Sequence, residues 1–537
     1  MTELVENSIG RLVPKSVNGF SHEPYSGAFA DLPPGPEWIA PTPMRQGRGE
    51  SKLRESLADV VRECVPDGGW VSMPHYYRDD STALALLLEA LKDAGVSGVH
   101  LLGIAFFNSH GSLLKEAFES GLLAGVEGNL YGASAKAAAG GAFSPWVVTG
   151  RTHGGRARAM RFGERQVNLA VIPVPAADIY GNANGVMGHP GSQCGPVSLA
   201  EPDARYSENT VVLTEQLLPA PLVPHPIDMR FVSHVVQVHT VGDSRGISTG
   251  STDIRRVKGD PARQAIADNV LKAMQAAGVI KDGFNFQIGS GAGLLVLKEM
   301  FGIMRRNGIR AGFTTGGSME YHVDLLEEGL ISTFFDGQCF QPSARLFHSL
   351  INDPRHVEVS TSLYYDPSAR QPAVGLMDVV VLGGSEVDRD FNVNTLTGYD
   401  GVLRTGIGGG PDAAAGGKLT VFALPLARVN RSGRSAPCVR ERVTNVVTPG
   451  EVVSAVVTEE HIAVNENCKS PYLPALLENA EKHGLNLVKI DALAGLAMDR
   501  ARKLGKLMDE PVFTDDIIFV AQWRDGRLID AVRRLTD

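Results

Sequence analysis

The sequence predicts an α/β protein made of two tandem copies of one unit, each built on a mainly parallel sheet. Three observations predict it. The run NLAVIPVPAADIYGNANG from Asn168 returns as MDVVVLGGSEVDRDFNVN from Met377, so that Asp178, Asn182 and Asn184 recur 210 residues later as Asp388, Asn392 and Asn394. Further pairs fall in the same order: Asp67-Gly68 with Asp282-Gly283, Gly121-Leu122 with Gly329-Leu330, and Asp203-Ala204 with Asp412-Ala413. Continuous apolar runs such as LAVIPV and DVVVLG alternate with helical periodicity, the pattern of strands buried on both faces beneath crossover helices. Duplicated units tend to face each other across a cleft, and clefts between domains are where small ligands bind.

The elements follow in order. Residues 1–49 hold the run DLPPGPEWIAPTPMRQGRG without sustained period, which predicts an extended Pro- and Gly-rich N-terminal arm, free to wrap a neighbouring subunit, rather than a folded unit. The first unit is expected over 50–260. Leu53, Leu57, Val60, Val61 and Cys64 at helical spacing predict a helix, and VPDGGWVSM supplies a turn and a short strand. The second unit, 261–537, opens alike: Ile266, Val270, Leu271 and Met274 share a helix face, and Lys281-Asp282-Gly283 then turns into the strand FNFQIG. Both units continue with a helix (82–93 and 294–306), an apolar strand, a helix ending in Gly-Leu, and the echoed strand. RVNRSGRSAPCV reads as an insertion. From about 448, TPGEVVSAVVTEEHIAVN, a helix over 473–483, a short strand over 487–490 and the strand-like IIFVAQWRDG are all expected in the second unit.

Composition narrows the function classes. A chain of 537 residues exceeds the size at which single cores stop growing, and 43% hydrophobic with 21% charged residues is an ordinary globular balance. No run approaches the roughly 18 apolar residues of a membrane span, and MTELVENSIGRLVPK lacks a basic-then-apolar leader pattern, so the expectation is a cytoplasmic protein. Five cysteines without CxxC spacing suggest neither a disulfide framework nor a metal site. A net charge of −9 without a basic run argues against a nucleic-acid partner.

Glycine loops and basic clusters carry the candidate chemistry. FNFQIGSGAGLLVLKEM places Gly289, Gly291 and Gly293 between a strand and a helix, an anion or oxyanion site in outline. The acidic residue that a dinucleotide-binding loop needs at the end of the next strand is missing from IRAGFTTGG. Gly316 and Gly317 follow a strand, and Gly408 and Gly409 lie in GIGGGPDAAAGG; several such loops suit a substrate lying close to backbone over a long path, as a pantetheine arm would. MPHYYRDDS brings His75 and Arg78, RTHGGR brings Arg151, His153 and Arg156, and GVLRTG brings Arg404; an arginine beside a histidine suits a polycarboxylate.

The paired Asp-x₃-Asn-x-Asn residues read as turn-holding groups, because both copies have them. Glu386 differs, since its counterpart is Ala176, and an acid present in one copy is a candidate for function. No Ser-His-Asp order, P-loop, HExxH helix or nucleophile elbow is present.

The strings YGNANG, EVDRDFNVNTLTGYDGVLR, VVTPGEVVSAVVTEEHIAVN and FTDDIIFVAQWRDGRLIDAVRRL resemble the citrate lyase α subunit family, collinearly over roughly 50–537. The resemblance implies two CoA-transferase-type domains with the active site in the cleft between them. It implies exchange of citrate for acetate on an acyl carrier thioester, giving citryl thioester and acetate. It implies no cofactor bound by this chain, which would use acyl-CoA or the CoA-like prosthetic group of a carrier subunit. It further implies β and γ (acyl carrier) partner subunits and a homo-oligomer. Enzymes of the wider fold carry a glutamate nucleophile, but before VDLLEEG this chain has Thr314, Thr315 and Gly316, with Glu320 later at the following helix start. Direct attack by the substrate carboxylate is then implied, with His75, Arg78 and Glu386 as the catalytic set and Arg404, Arg151, His153 and Arg156 holding carboxylates. Gly289, Gly291, Gly293, Gly316, Gly317, Gly408 and Gly409 would serve the oxyanion and CoA. A free-standing CoA-transferase or acyl-CoA hydrolase for another di- or tricarboxylate, such as citramalate, is a second reading, and a catalytically degenerate scaffold a third.

Overall fold

The computed structural model describes residues 3–31, 37–38, 51–248, 259–289 and 293–536. Two mainly parallel sheets carry the duplication strand by strand. Seven strands of the first sheet run in the order Val148–Arg151, Leu123–Leu130, Val99–Phe106, Trp70–Met73, Leu169–Ala177, Asn209–Leu217, His234–Gln237. Seven of the second run in the matching order His356–Glu358, Ile331–Cys339, Ala311–Ser318, Phe286–Ile288, Val379–Gly383, Leu419–Ala423, Ala455–Val457. Every neighbouring pair in both runs is parallel. The echoed strands Leu169–Ala177 and Val379–Gly383 sit at the same place in the two sheets and are buried along nearly their whole length, which is why they read as unbroken apolar runs.

One apolar core runs from the first unit into the second, joining Leu213 and Val235 to Val393, Leu403 and Phe422. A second cluster, with Val270, Phe286, Val296 and Val379, fills the far face of the second sheet. The 427–437 insertion is a two-stranded hairpin, Ala427–Val429 with Ser435–Pro437.

The structure corrects three expectations. The described part of the 1–49 arm is not extended: Leu4–Glu6 pairs with Leu12–Pro14 and Ser16–Val17 with Phe20–Ser21, the latter closed by Asn18 and Gly19 at φ of +52° and +84°. That left-handed pair is the geometry a tight hairpin turn requires. The Pro-rich 32–36 and 39–49 lie outside the described residues. The C-terminal strands do not stay with 261–537, because Phe513–Gln522 pairs in parallel with Val148–Arg151 and carries Leu528–Leu535 with it into the first sheet. Burial decides this: Phe519, Val520, Ala521 and Trp523 are at most 1% exposed there, and Tyr25 packs edge-on against Trp523. Finally, 487–490 is not a strand. Leu487 forms one bridge, and Ile490–Leu504 is a helix whose small buried face, Leu493, Ala494, Ala497 and Ala501, carried too little hydrophobicity to announce it.

Candidate active site

The two units meet along the segment after Arg404. Ile407 N–H donates to Asn129 Oδ1 at 2.7 Å, His153 N–H donates to the Gly408 carbonyl at 3.2 Å, and Thr152 Oγ1 and Gly154 N–H both donate to Asp412 at 2.9 Å. Here GIGGG is a close-packed joint, not a flexible loop. A Cβ on Gly409 would lie 2.8 Å from both the His153 ring and the Tyr365 ring, so only glycine lets the backbone pass between them.

Beside this joint lies a cavity of about 280 Å³. Its floor is backbone: Gly289, Gly316, Gly317, Gly337, Gly409 and Gly410. Gly316, at φ +144°, precedes a register shift against the next strand, which turns the Gly316-Gly317 peptide out of regular pairing. The polar walls are His153, Gln287, Thr315, His322, Gln338 and the Tyr364-Tyr365 pair. Among the described residues no Asp, Glu, Lys or Arg lines the cavity.

The charge sits just behind that wall. Arg78 is 7% exposed, its Cζ lies 4.9 Å from the centroid of the Phe340 ring, and its Nη1 donates to the Ile247 carbonyl at 2.6 Å. No carboxylate pairs with it among the described residues. Its φ of +51° is a left-handed backbone that costs a non-glycine residue about 1 kcal/mol, so the surrounding fold imposes this placement. Next to it, His75 Nε2 lies 3.1 Å from Gln338 Oε1, and the His75 ring stacks 6.2 Å from His153 at 6°. Burial pushes His75 well below the usual imidazole range, helped by His153 and Arg78, and pushes His153 down to about 4, helped by Arg156. Burial lowers His322 to about 3. These imidazoles are neutral at pH 7, which leaves Arg78 as the cation of the site.

Other expected site residues are placed elsewhere. Arg156 makes a two-pronged pair with Asp203 at 2.6 and 2.8 Å, and Arg151 pairs with Glu127, which Arg165 also reaches at 2.9 Å. Both arginines are spent on buried carboxylates: Arg156 ties the helix His153–Arg161 to Asp203, and Arg151 ties its strand to the neighbouring Leu123–Leu130. Arg404 is half exposed and pairs with Asp400 at 2.6 Å, outside the cavity. Glu386, 1% exposed, accepts from Arg440 at 2.8 Å, Asn394 at 2.8 Å and Thr444 N–H at 3.1 Å; it fixes a turn and faces no cavity residue. Glu320 is exposed. Gly289 lines the cavity but its N–H is committed to the Val381 carbonyl at 2.8 Å, so it offers no oxyanion donor. Gly293 opens the helix Gly293–Asn307, and Gly291 lies outside the described residues.

Thus His75, Arg78, His153, Gly316, Gly317 and Gly409 come together, with Gly408 in the adjoining joint. Sequence reasoning missed Gln287, Thr315, Gln338, Tyr364 and Tyr365. Thr315 stands next to the flagged Gly316 and Gln287 two residues before Gly289, and that proximity was a usable signal; the tyrosines belong to no motif.

The family model described as "Citrate lyase, alpha subunit (CitF)" matches residues 50–535. The chain belongs to the citrate lyase alpha subunit family. The citrate lyase alpha chain of Klebsiella pneumoniae is 35% identical over 519 residues, 95% of this chain and 96% of that one. That of Escherichia coli (strain K12) is 33% identical over 490 residues, 91% and 92% respectively. A crystal structure of a citrate lyase alpha subunit from Streptococcus mutans, in complex with citrate, superposes with a TM-score of 0.89 at 30% identity, covering 99% of this chain and all of that one. The malonate decarboxylase alpha subunit of Acinetobacter baumannii, 14% identical with a TM-score of 0.58 over 85% of this chain and 92% of its own, shares the fold. Family and geometry therefore agree on an α/β chain whose cleft lies between two like units.

Proposed function

We propose that this chain is the transferase subunit of a citrate lyase, exchanging acetate for citrate on an acyl thioester. It binds no resident cofactor, and takes the acyl group from CoA or from the CoA-like prosthetic group of a γ carrier subunit. A β subunit then cleaves the citryl thioester, and the chain works as several copies within that assembly.

The observation that carries this reading is the separation of charge in the site. Arg78 is a buried cation without a carboxylate partner among the described residues, and a buried guanidinium left uncompensated costs several kcal/mol unless an anion joins it. A substrate carboxylate supplies that anion. The cavity itself holds no acidic side chain among the described residues, so no protein carboxylate is placed to attack a thioester. The citrate carboxylate oxygen attacks the acetyl carbonyl carbon, and the C–S bond breaks to give an acetyl–citryl anhydride and the thiolate. The thiolate then attacks the citryl carbonyl, forming citryl thioester and releasing acetate. The protein supplies position and charge stabilisation, and pre-positioning alone removes up to about 7–11 kcal/mol from such a barrier.

The test is incubation of the protein with acetyl-CoA and a panel of di- and tricarboxylates, reading the acyl-CoA products by mass. Citryl-CoA with stoichiometric acetate is expected. A different acyl-CoA, or a covalent enzyme–CoA thioester trapped by hydroxylamine, would overturn the proposal.

A further inference from the structure

Three polar side chains in the cavity form no hydrogen bond among the described residues. Gln287 Oε1, Thr315 Oγ1 and the Tyr364 hydroxyl are buried without a hydrogen-bond partner among the described residues, in side chains 9%, 2% and 1% exposed. All three line the same cavity. The fold aims them there. Phe286 and Thr314 are paired across adjacent parallel strands, so Gln287 and Thr315, one residue further on, leave the sheet side by side on its other face. Tyr364 closes the short helix Thr361–Tyr364, which Ser360 caps and which Thr361 ties to the Leu199 carbonyl at 2.9 Å. The Tyr364 hydroxyl is near enough to Thr315 and Tyr365 to interact, yet no hydrogen bond closes. Thr314, on the opposite face, donates to the Phe286 carbonyl at 3.0 Å, so the two adjacent threonines differ in this respect. Other buried polar atoms of the chain also lack partners among the described residues, but here three converge on one cavity, which marks a place where a ligand completes the bonding.

We infer that Gln287, Thr315 and Tyr364 seat the reacting carbonyl of the thioester, with the two hydroxyls donating to its oxygen. The inference rests on the proposed acyl exchange and adds residues to it. Chemistry separates this chamber from the Arg78 side. A full carboxylate in the ground state calls for a cation, which Arg78 offers, whereas the chamber offers neutral dipoles only. Neutral donors bind a carbonyl weakly and an oxyanion strongly, the discrimination that speeds a reaction instead of merely tightening substrate binding. Burial raises the Tyr364 phenol, so it remains an O–H donor throughout. In each half of the exchange a nucleophile adds to the carbonyl carbon and the C=O electron pair moves onto oxygen. That oxyanion accepts from Thr315 and Tyr364 until the C–S bond breaks in the first half, or the C–O bond to acetate in the second. Gln287 Oε1, beside them, only accepts; it can take a hydrogen bond from the hydroxyl of the citryl group, and acetyl offers it none.

Thr315→Val, Thr315→Ser and Tyr364→Phe test this in the full chain, after the wild type has been shown to make citryl-CoA from acetyl-CoA and citrate. Thr315→Val and Tyr364→Phe are expected to lower kcat about 10- to 100-fold, with both KM values within about twofold, and Thr315→Ser to recover kcat to within about threefold. Unchanged kcat, or a raised KM at constant kcat, overturns the inference while the wild-type result leaves the acyl exchange standing. A wild type that makes no citryl-CoA overturns the exchange and the inference with it. Should Tyr364→Phe melt early, the Thr315→Val and Thr315→Ser pair decides alone.

Discussion

The turns after Asp178 and after Asp388 carry the same hydrogen bonds in different surroundings. Asp178 Oδ1 accepts from the N–H groups of Tyr180 and Asn182, and Asp388 Oδ1 from those of Asp390 and Asn392. Asn182 accepts from Met229 N–H at 3.1 Å, and Asn392 from Gly450 N–H at 3.0 Å. Around the second turn, however, the N-terminal segment has settled. Arg11 donates to the Val443 and Thr444 carbonyls, Arg442 to the Gly10 carbonyl, and Glu451 accepts from Tyr25 and from Ala28 N–H. Around the first turn Ile179, Tyr180, Val223 and Met229 stay exposed. Duplicated residues build the frame, then, while unduplicated ones adapt it, and adaptation takes two forms. Glu386, absent from the first copy, serves the frame through Arg440 and Asn394. Gln287 and Thr315 serve the cavity. Strand register puts Ser72 and Leu102 at their places in the first unit, where Leu102 joins a local apolar cluster. Most of the chamber belongs to the second copy, with His153 and Leu199 from the first, and the cation Arg78 belongs to the first, so the site needs both.

Asp203 and Asp412, equivalent in sequence, sharpen this comparison most. Both grip the helix His153–Arg161, Asp203 through Arg156 within its own unit and Asp412 through Thr152 and Gly154 across the joint. Asp203→Ala leaves Arg156 buried and unpaired, and about 3–5 kcal/mol of stability should be lost in urea unfolding. A loss below about 1 kcal/mol would mean the helix is held by other contacts. Glu386→Gln should cost about 1–3 kcal/mol and leave kcat/KM unchanged. Lost turnover in a fully stable Glu386→Gln protein would return that residue to the catalytic set and break the division drawn above.

The joint also titrates. Burial raises Glu358, which accepts from Val197 and Ser198 N–H, to about 7, and raises Asp412 to about 6. Because the folded state holds these protons more tightly than the unfolded chain, their contribution is full below about pH 4 and is lost as pH rises through 6 to 7. Between pH 5 and 8 the wild type should therefore lose about 1–2 kcal/mol more than Glu358→Gln, after discounting for partial solvent access at Glu358. Parallel pH profiles for the two proteins would contradict this. The smallest effect is expected for Arg404→Ala, a half-exposed pair with Asp400 worth under about 0.5 kcal/mol.

Much of this frame was legible in the sequence, because strand burial and turn chemistry are local. LAVIPV, DVVVLG and the Asp-x₃-Asn-x-Asn turns announced themselves by period and residue type. The misreadings of the site arginines and of the C-terminal strands were non-local. Arg151 and Arg156 read as carboxylate binders because Glu127 and Asp203, their partners, lie 24 and 47 residues away. Phe513–Gln522 read as part of the second unit because its partner Val148–Arg151 lies in the first. Tyr364 and Tyr365 look like any apolar pair until the fold brings Gln287 and Thr315 beside them.

One buried cation from the first copy, without a carboxylate partner among the described residues, holds the acid whose acyl transfer takes place over the second. Citrate saturation of acetyl-CoA–dependent citryl-CoA formation, compared between Arg78→Gln and Arg404→Gln, tests it directly. A KM for citrate raised about 10- to 100-fold in Arg78→Gln and unchanged in Arg404→Gln is the predicted result. An unchanged KM in Arg78→Gln, or the larger rise in Arg404→Gln, would contradict it.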